Sequence, residues 1–147
     1  MTAVFPRGRA RRYVLDANAL IGFFEDREGT AGKIEHLLAE ALRQDLPLLM
    51  SAVNWSEVFY MEWRYRGEAK ARQAEASLRA MPIAIIGVDQ ERASRAGALK
   101  QRHGLGYADA FAAELAIERG AWLATADPEF QKVGKALAVY SLPRYEK

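Results

Sequence analysis

The strongest constraint on how this chain can fold is the repeated exchange of two hydrophobic rhythms along it. Short, wholly apolar runs stand at Tyr13-Val14-Leu15, Leu46 to Met50, Ile83 to Ile86, Trp122-Leu123-Ala124 and Ala138-Val139-Tyr140, the pattern of strands covered on both faces. Pro47 has to occupy the first turn or the edge of its strand, because it cannot donate to a ladder. Between these runs the apolar residues recur at helical spacing. Asn18 to Phe24 follows the first run, and Ile34, Leu37, Leu38, Ala41 and Leu42 form one buried stripe behind a Thr30 cap. A helix starts at Ser51 and carries Glu57. Gly67 interrupts it, and Ala71, Ala74, Leu78 and Met81 resume the spacing before Pro82, as a helical hairpin would. Asp89 caps a helix running to about Arg102, and Ala108, Phe111, Ala112 and Leu115 mark another after His103-Gly104-Leu105-Gly106. Parallel neighbours need crossovers rather than tight hairpins, so the expected class is α/β with a mainly parallel sheet between helices.

At 147 residues the chain is expected to be one domain, residues 1–147, with residues 1–12 a loose basic arm. A content of 50% hydrophobic and 27% charged residues excludes a disordered chain. The absence of cysteine rules out disulfides, thiolate zinc sites and a thiol nucleophile, and fits a reducing compartment. Neither a signal-peptide core nor an apolar stretch of about 18 residues occurs, so the expectation is a cytoplasmic protein with no membrane partner. The net charge is only +2, yet arginines cluster at Arg7, Arg9, Arg11 and Arg12, and a second group gathers Arg64, Arg66, Lys70 and Arg72. Such clusters permit a polyanionic partner and equally suit a solvated surface.

In an open parallel sheet the ligand crevice lies beyond the carboxyl ends of the strands. Asp16 directly follows the first run, and Asp127 lies three residues after Ala124. Glu57 falls about two turns into the helix after Met50, and Asp109 in the first turn after Gly106. If the helices pack as the pattern implies, the four acids converge on one edge of the sheet. Gathered carboxylates repel one another unless some take up protons or a cation joins them. With no cysteine and only His36 and His103 as imidazoles, the donor set is all oxygen, which suits Mg²⁺ or Mn²⁺ rather than zinc. Such an ion supports attack of water on a phosphodiester.

Each acid has a structural explanation as well. Asp16 suits a helix N-cap, with Asn18 competing for that role, and Asp127 before Pro128 is the signature of a cap followed by proline at the first helical position. Asp109 suits the positive end of a helix dipole, although Ala108, Ala110, Ala112 and Ala113 leave a small-residue surface beside it that invites close packing. Glu57 is an ordinary helical glutamate by type, but Val53, Val58, Phe59 and Tyr60 surround it with apolar bulk.

Four local patterns in order tip the balance: Val14-Leu15-Asp16-Ala17-Asn18, Asn54-Trp55-Ser56-Glu57-Val58, Tyr107-Ala108-Asp109-Ala110 and Thr125-Ala126-Asp127-Pro128-Glu129-Phe130. From Tyr13 to about Tyr140 the chain resembles the PIN domain family, and within it the VapC-type ribonuclease toxins of toxin–antitoxin pairs. The resemblance implies a three-layer α/β/α sandwich, with Asp16, Glu57, Asp109 and Asp127 as metal ligands and Asn18 and Thr125 as polar helpers. It also implies a homodimer, neutralisation by a cognate antitoxin, and RNA as substrate. The segment Thr2 to Arg12 departs from the pattern, since such proteins often begin almost at the first strand.

The leading expectation is therefore an endoribonuclease dependent on Mg²⁺ or Mn²⁺, the toxin of a type II pair, with Arg64, Arg66 and Arg102 holding the RNA backbone on charge alone. The alternative is a non-catalytic RNA- or protein-binding module in which the acids only cap helices. A phosphotransfer domain using Asp16 as acceptor ranks below both, because a second acid beside Asp16 and a strand-end lysine are missing.

Overall fold

The computed structural model describes residues 11–144. It runs β1 (Tyr13–Leu15), α1 (Ala17–Phe24), α2 (Thr30–Gln44), β2 (Leu48–Ser51), α3 (Ala52–Arg66), α4 (Glu68–Ala80), β3 (Ile83–Ile86), α5 (Gln90–His103), α6 (Tyr107–Arg119), β4 (Trp122–Thr125), a 3₁₀ segment (Pro128–Ala136) and β5 (Val139–Ser141). All strand pairings are parallel, in the order β3-β2-β1-β4-β5. The class is α/β, as the sequence implies.

Alternation of Cβ directions along each strand divides the core into two layers. Leu15, Leu48, Met50 and Ala124 face α1 to α4, where Leu20, Ile34, Leu37, Val58 and Leu78 meet them. Val14, Leu49 and Leu123 point the other way, onto Ala96 of α5, Ala112 and Leu115 of α6, and Phe130 of the 3₁₀ segment. Each fully buried Leu or Val of this kind contributes about 1.5–3 kcal/mol of transfer free energy. The alanines of α6 let that helix lie close against β1 and β2, which puts its N-terminal turn over the carboxyl end of the sheet.

The strand order also places the ligand crevice. From β1 the chain steps outward to β2 and β3 on one side, then returns through α5 and α6 to β4 on the other. The strand order therefore reverses between β1 and β4, whose pairing joins Tyr13 to Trp122, Val14 to Leu123 and Leu15 to Ala124. Such a switch point is where open α/β sheets leave a crevice.

Several local expectations are corrected. Thr30 is the first residue of α2 and not its cap. The cap position is Gly29 at φ +81°, and Thr30 is instead buried, its methyl pressed where a side chain on Gly22 would otherwise stand. Leu42 leaves the buried stripe and is 69% exposed, because α2 turns that face away before its end at Asp45. Pro47 precedes β2 instead of opening it. Ile83 to Ile86 is a strand but an edge one, only partly covered, and its apolar run overstated its burial. Most of the basic arm, with Arg7 and Arg9, lies outside the described residues. At its end the Arg12 carbonyl accepts from the Trp122 amide at 3.0 Å, and the Arg11 guanidinium sits 4.6 Å from the centre of the Trp122 ring.

Candidate active site

Asp16 ends β1 with an extended backbone and begins α1 as its N-cap. Its Oδ1 accepts from the Ala19 amide at 2.8 Å, and its Oδ2 accepts from the Thr125 hydroxyl. The Asp16 amide donates to the Ala124 carbonyl at 3.3 Å, continuing the β1–β4 ladder by one residue. Across the switch point the Asp127 amide donates to the Thr125 Oγ1 at 3.0 Å, and Asp127 Oδ1 accepts from the Glu129 amide at 2.9 Å. The capping explanations for Asp16 and Asp127 are thus both correct. They do not compete with a site, since capping fixes each carboxylate at the crevice.

Glu57 and Asp109 arrive on α3 and α6, and one buried side chain ties those helices together. Asn54, 1% exposed and one turn before Glu57, donates from Nδ2 to the carbonyl of Ala108, the residue before Asp109, at 3.0 Å. Its Oδ1 is buried without a partner. The hydrogen bond to a carbonyl decides which end of the amide is nitrogen. Gly106 at the α6 N-cap leaves room beside Asp109, whose Oδ2 stands 3.5 Å from where a Cβ there would lie.

The electrostatics bring the acids together. Asp16 is buried, and desolvation pushes its pKa up to about 7 against the opposing pull of the Thr125 hydroxyl and the Ala19 amide, with the charges of Asp109 and Asp127 adding to the rise. Asp109 is raised to about 6, first by desolvation and then by the charges of Asp127, Glu57 and Glu129. Glu57 is an exposed residue, as its type suggests, yet the loss of water around its carboxylate raises its pKa too. Glu129 is the acid that sequence reading passed over, although it lies inside the quoted Thr125 to Phe130 pattern.

An all-oxygen set of mutually repelling carboxylates is suited to a hard divalent cation. Among the described residues no three acidic or histidine side chains are close enough to enclose one ion by themselves. The fit is therefore to an ion like Mg²⁺, which is held by one or two carboxylates and keeps several waters or phosphate oxygens.

Asn18 is exposed in the first turn of α1, and with Asp127 it lines a cleft of about 480 Å³ between α1 and α3. Of the three candidate backbone-binding arginines only Arg66 lines this cleft. Arg64 lies on the outer face of α3 beside Tyr60 and Trp63, and Arg102 borders a depression between α5 and α6.

Comparison with known proteins agrees with this fold. The crystal structure of VapBC2 from Rickettsia felis bound to a DNA fragment from its promoter is similar at a TM-score of 0.69 and 18% identity, over 89% of this chain and 98% of that one. A toxin–antitoxin complex from Klebsiella pneumoniae reaches 0.64 at 23% identity, over 88% and 98%. VapC20 of Mycobacterium tuberculosis, described as a sarcin-ricin loop cleaving toxin, reaches 0.64 at 19%, over 89% and 99%. No curated protein sequence matches the chain. The sequence model of the PIN domain matches residues 13–136, a stretch that contains all four acids; the chain belongs to the PIN domain family.

Proposed function

We propose that this protein is an endoribonuclease that uses Mg²⁺ or Mn²⁺, and that it serves as the toxin of a toxin–antitoxin pair. The observation that carries the reading is the placement of Asp16 and Asp127 just beyond the ends of the adjacent strands β1 and β4, tied through Thr125 at the switch point of the sheet, where burial and neighbouring charge also raise the pKa of Asp16 and Asp109. Carboxylates gathered in a crevice with perturbed pKa values favour a working site over helix caps alone. Of Asp16, Glu57, Asp109 and Asp127, one or two would ligate the ion directly and the others would reach it through its bound waters. Once bound, the ion would orient and activate water for attack on a phosphodiester and offset charge on the phosphate.

The remaining work falls to the chain itself. The Ala19 amide and the Thr125 hydroxyl hold the Asp16 carboxylate in one orientation, and the Asp127 amide holds the Thr125 oxygen in turn. Asn54 keeps the α3 and α6 acids in register. Asn18, exposed at the rim, would donate to a phosphate oxygen, and Arg66, in the same cleft, would contact the backbone. The toxin role, an antitoxin partner and a homodimer are inferred from the fold shared with VapBC complexes and with VapC20, at identities that support the fold alone. Among the described residues no helix is long and apolar enough to cross a membrane.

The test is cleavage of a panel of tRNAs and rRNA fragments by the purified chain, with EDTA and after return of Mg²⁺ or Mn²⁺. Asp109→Asn is expected to lower cleavage by at least about a hundredfold while the folded circular dichroism spectrum persists. Metal-independent cleavage, or an Asp109→Asn variant as active as the parent, would rule the reading out. RNA binding without any cleavage would favour the binding-module alternative.

A further inference from the structure

The cleft beside Asp127 holds a carboxylate that the proposed chemistry does not use. Glu62 on α3 is 5% exposed and lines this cleft together with Met61, Tyr65 and Arg66. Its neighbour Glu25 lines the cleft as well and is ion-paired to Arg27 at 2.6 Å. Among the described residues Glu62 has an ion pair to Arg66 at 3.8 Å, too long for a hydrogen bond, and that guanidinium is shared with Glu25 at the same distance; the charges of Arg27 and Lys70 act on it more weakly. A little-exposed carboxylate that faces a cleft with its charge partner out of hydrogen-bond range is satisfied best by a ligand that brings donors.

We propose that this cleft binds an unpaired guanine base of the RNA, with the Glu62 carboxylate accepting from the guanine N1–H and 2-amino groups and Tyr65 stacking on the ring. The proposal rests on the ribonuclease reading and names the base that lies next to the cut. Guanine is selected because its Watson–Crick edge alone presents two adjacent donors, which match the two oxygens of a carboxylate. Adenine and cytosine set one amino group beside an acceptor, and uracil sets one N–H between two acceptors. Tyr65 is 67% exposed, with the Arg64 guanidinium 5.6 Å from its ring centre, and is an aromatic of the kind on which single-stranded bases stack, while Met61 supplies an apolar wall. The cleft volume of about 480 Å³ is ample for a nucleotide. Asn18 and Asp127 stand in the same cleft, so a base seated there lies beside the acid cluster. A cationic peptide side chain would crowd the guanidinium groups of Arg27 and Arg66 already present, whereas a neutral base adds none and its flanking phosphates are drawn to them.

The experiment is equilibrium binding of the four nucleoside 5′-monophosphates to the full chain in EDTA, followed by NMR or calorimetry. Because no metal or cleavage is involved, failure here with intact RNA cleavage sinks this inference and leaves the nuclease reading standing. Guanosine monophosphate is expected to bind about tenfold more tightly than the others, the discrimination of one good bidentate pair. Glu62→Gln should erase that preference and shift it toward adenosine monophosphate, whose amino group and N1 match an amide. Tyr65→Ala, at an exposed position that leaves folding intact, should weaken all four alike. Should Glu62→Gln not fold, the parent's ranking of the four nucleotides and the Tyr65→Ala result decide. Equal affinities, or a guanine preference untouched by Glu62→Gln, would overturn the proposal. Capture of a blocked Gly-Arg-Gly peptide with no guanosine monophosphate bound would overturn it as well, and assign the cleft to a protein partner.

Discussion

Replacing Asp16 by Asn removes a charge that the metal-free fold resists, so the variant is expected to be more stable than the parent at neutral pH and above. The pKa of Asp16 stands at about 7 in the folded protein against 3.8 for the ordinary group, a rise of about three units at about 1.4 kcal/mol each. Between those two values the folded state binds more protons than the unfolded chain, so its stability falls as pH rises through that window. Full ionisation thus costs on the order of 4 kcal/mol, of which about 3 kcal/mol develops between pH 5 and pH 8. That is a large part of the 5–15 kcal/mol typical of a domain. Asn keeps the cap, because its side-chain oxygen can still accept from the Ala19 amide, and it carries no titrating group. Urea denaturation in EDTA at pH 5 and pH 8 measures this directly. The parent should lose stability over that range, and Asp16→Asn should lose much less. A residual slope of the same sign comes from Asp109, raised to about 6. Added Mg²⁺ or Mn²⁺ at pH 8 should raise the Tm of the parent and leave that of the variant nearly unmoved, while the variant cleaves no RNA. A parent as stable at pH 8 as at pH 5 in EDTA, or a variant with the same pH profile as the parent, would refute the reasoning.

Arg92 donates to Glu114 at 2.8 Å and to Glu118 at 3.0 Å, tying α5 to α6, and Glu114 is only 2% exposed. Arg92→Ala should cost about 3 kcal/mol in urea denaturation, somewhat less if Arg95, at 2.9 Å from Glu114, compensates, with cleavage retained well below the Tm. Arg66→Ala should weaken RNA binding and lower the slope of log affinity against log salt by about one, while Arg64→Ala and Arg102→Ala, both outside the cleft, should leave that slope unchanged.

Much of the architecture was legible in the chain because parallel strands buried on both faces and amphipathic crossovers leave strong local signatures. Those signatures placed all five strands and six α-helices to within a few residues. They misjudged exposure where position in the sheet mattered more than composition. Ile83 to Ile86 is as apolar as an inner strand, but pairing on one side only leaves Ile85 37% exposed. Leu42 sits on the stripe by spacing, and only the end of α2 turns it to solvent. Thr30 resembled a cap by type and is a buried methyl by packing.

The candidate site divides in the same way. The four acids were readable because each sits at a strand end or near a helix start, where type and position together carry meaning in one dimension. Their neighbours were not. The bond from Thr125 to Asp16 spans the β1–β4 contact, Asn54 meets Ala108 across two helices, and Glu62 shares its cleft with Asn18 and Ile21 of α1. The sequence alone determined the α/β class and the inventory of acids, since local hydrophobic periodicity and residue type are properties of neighbouring residues. Only tertiary structure decided which strands adjoin, where the order reverses, and which carboxylates lose their water, because desolvation and charge coupling depend on distances through space between residues far apart along the chain.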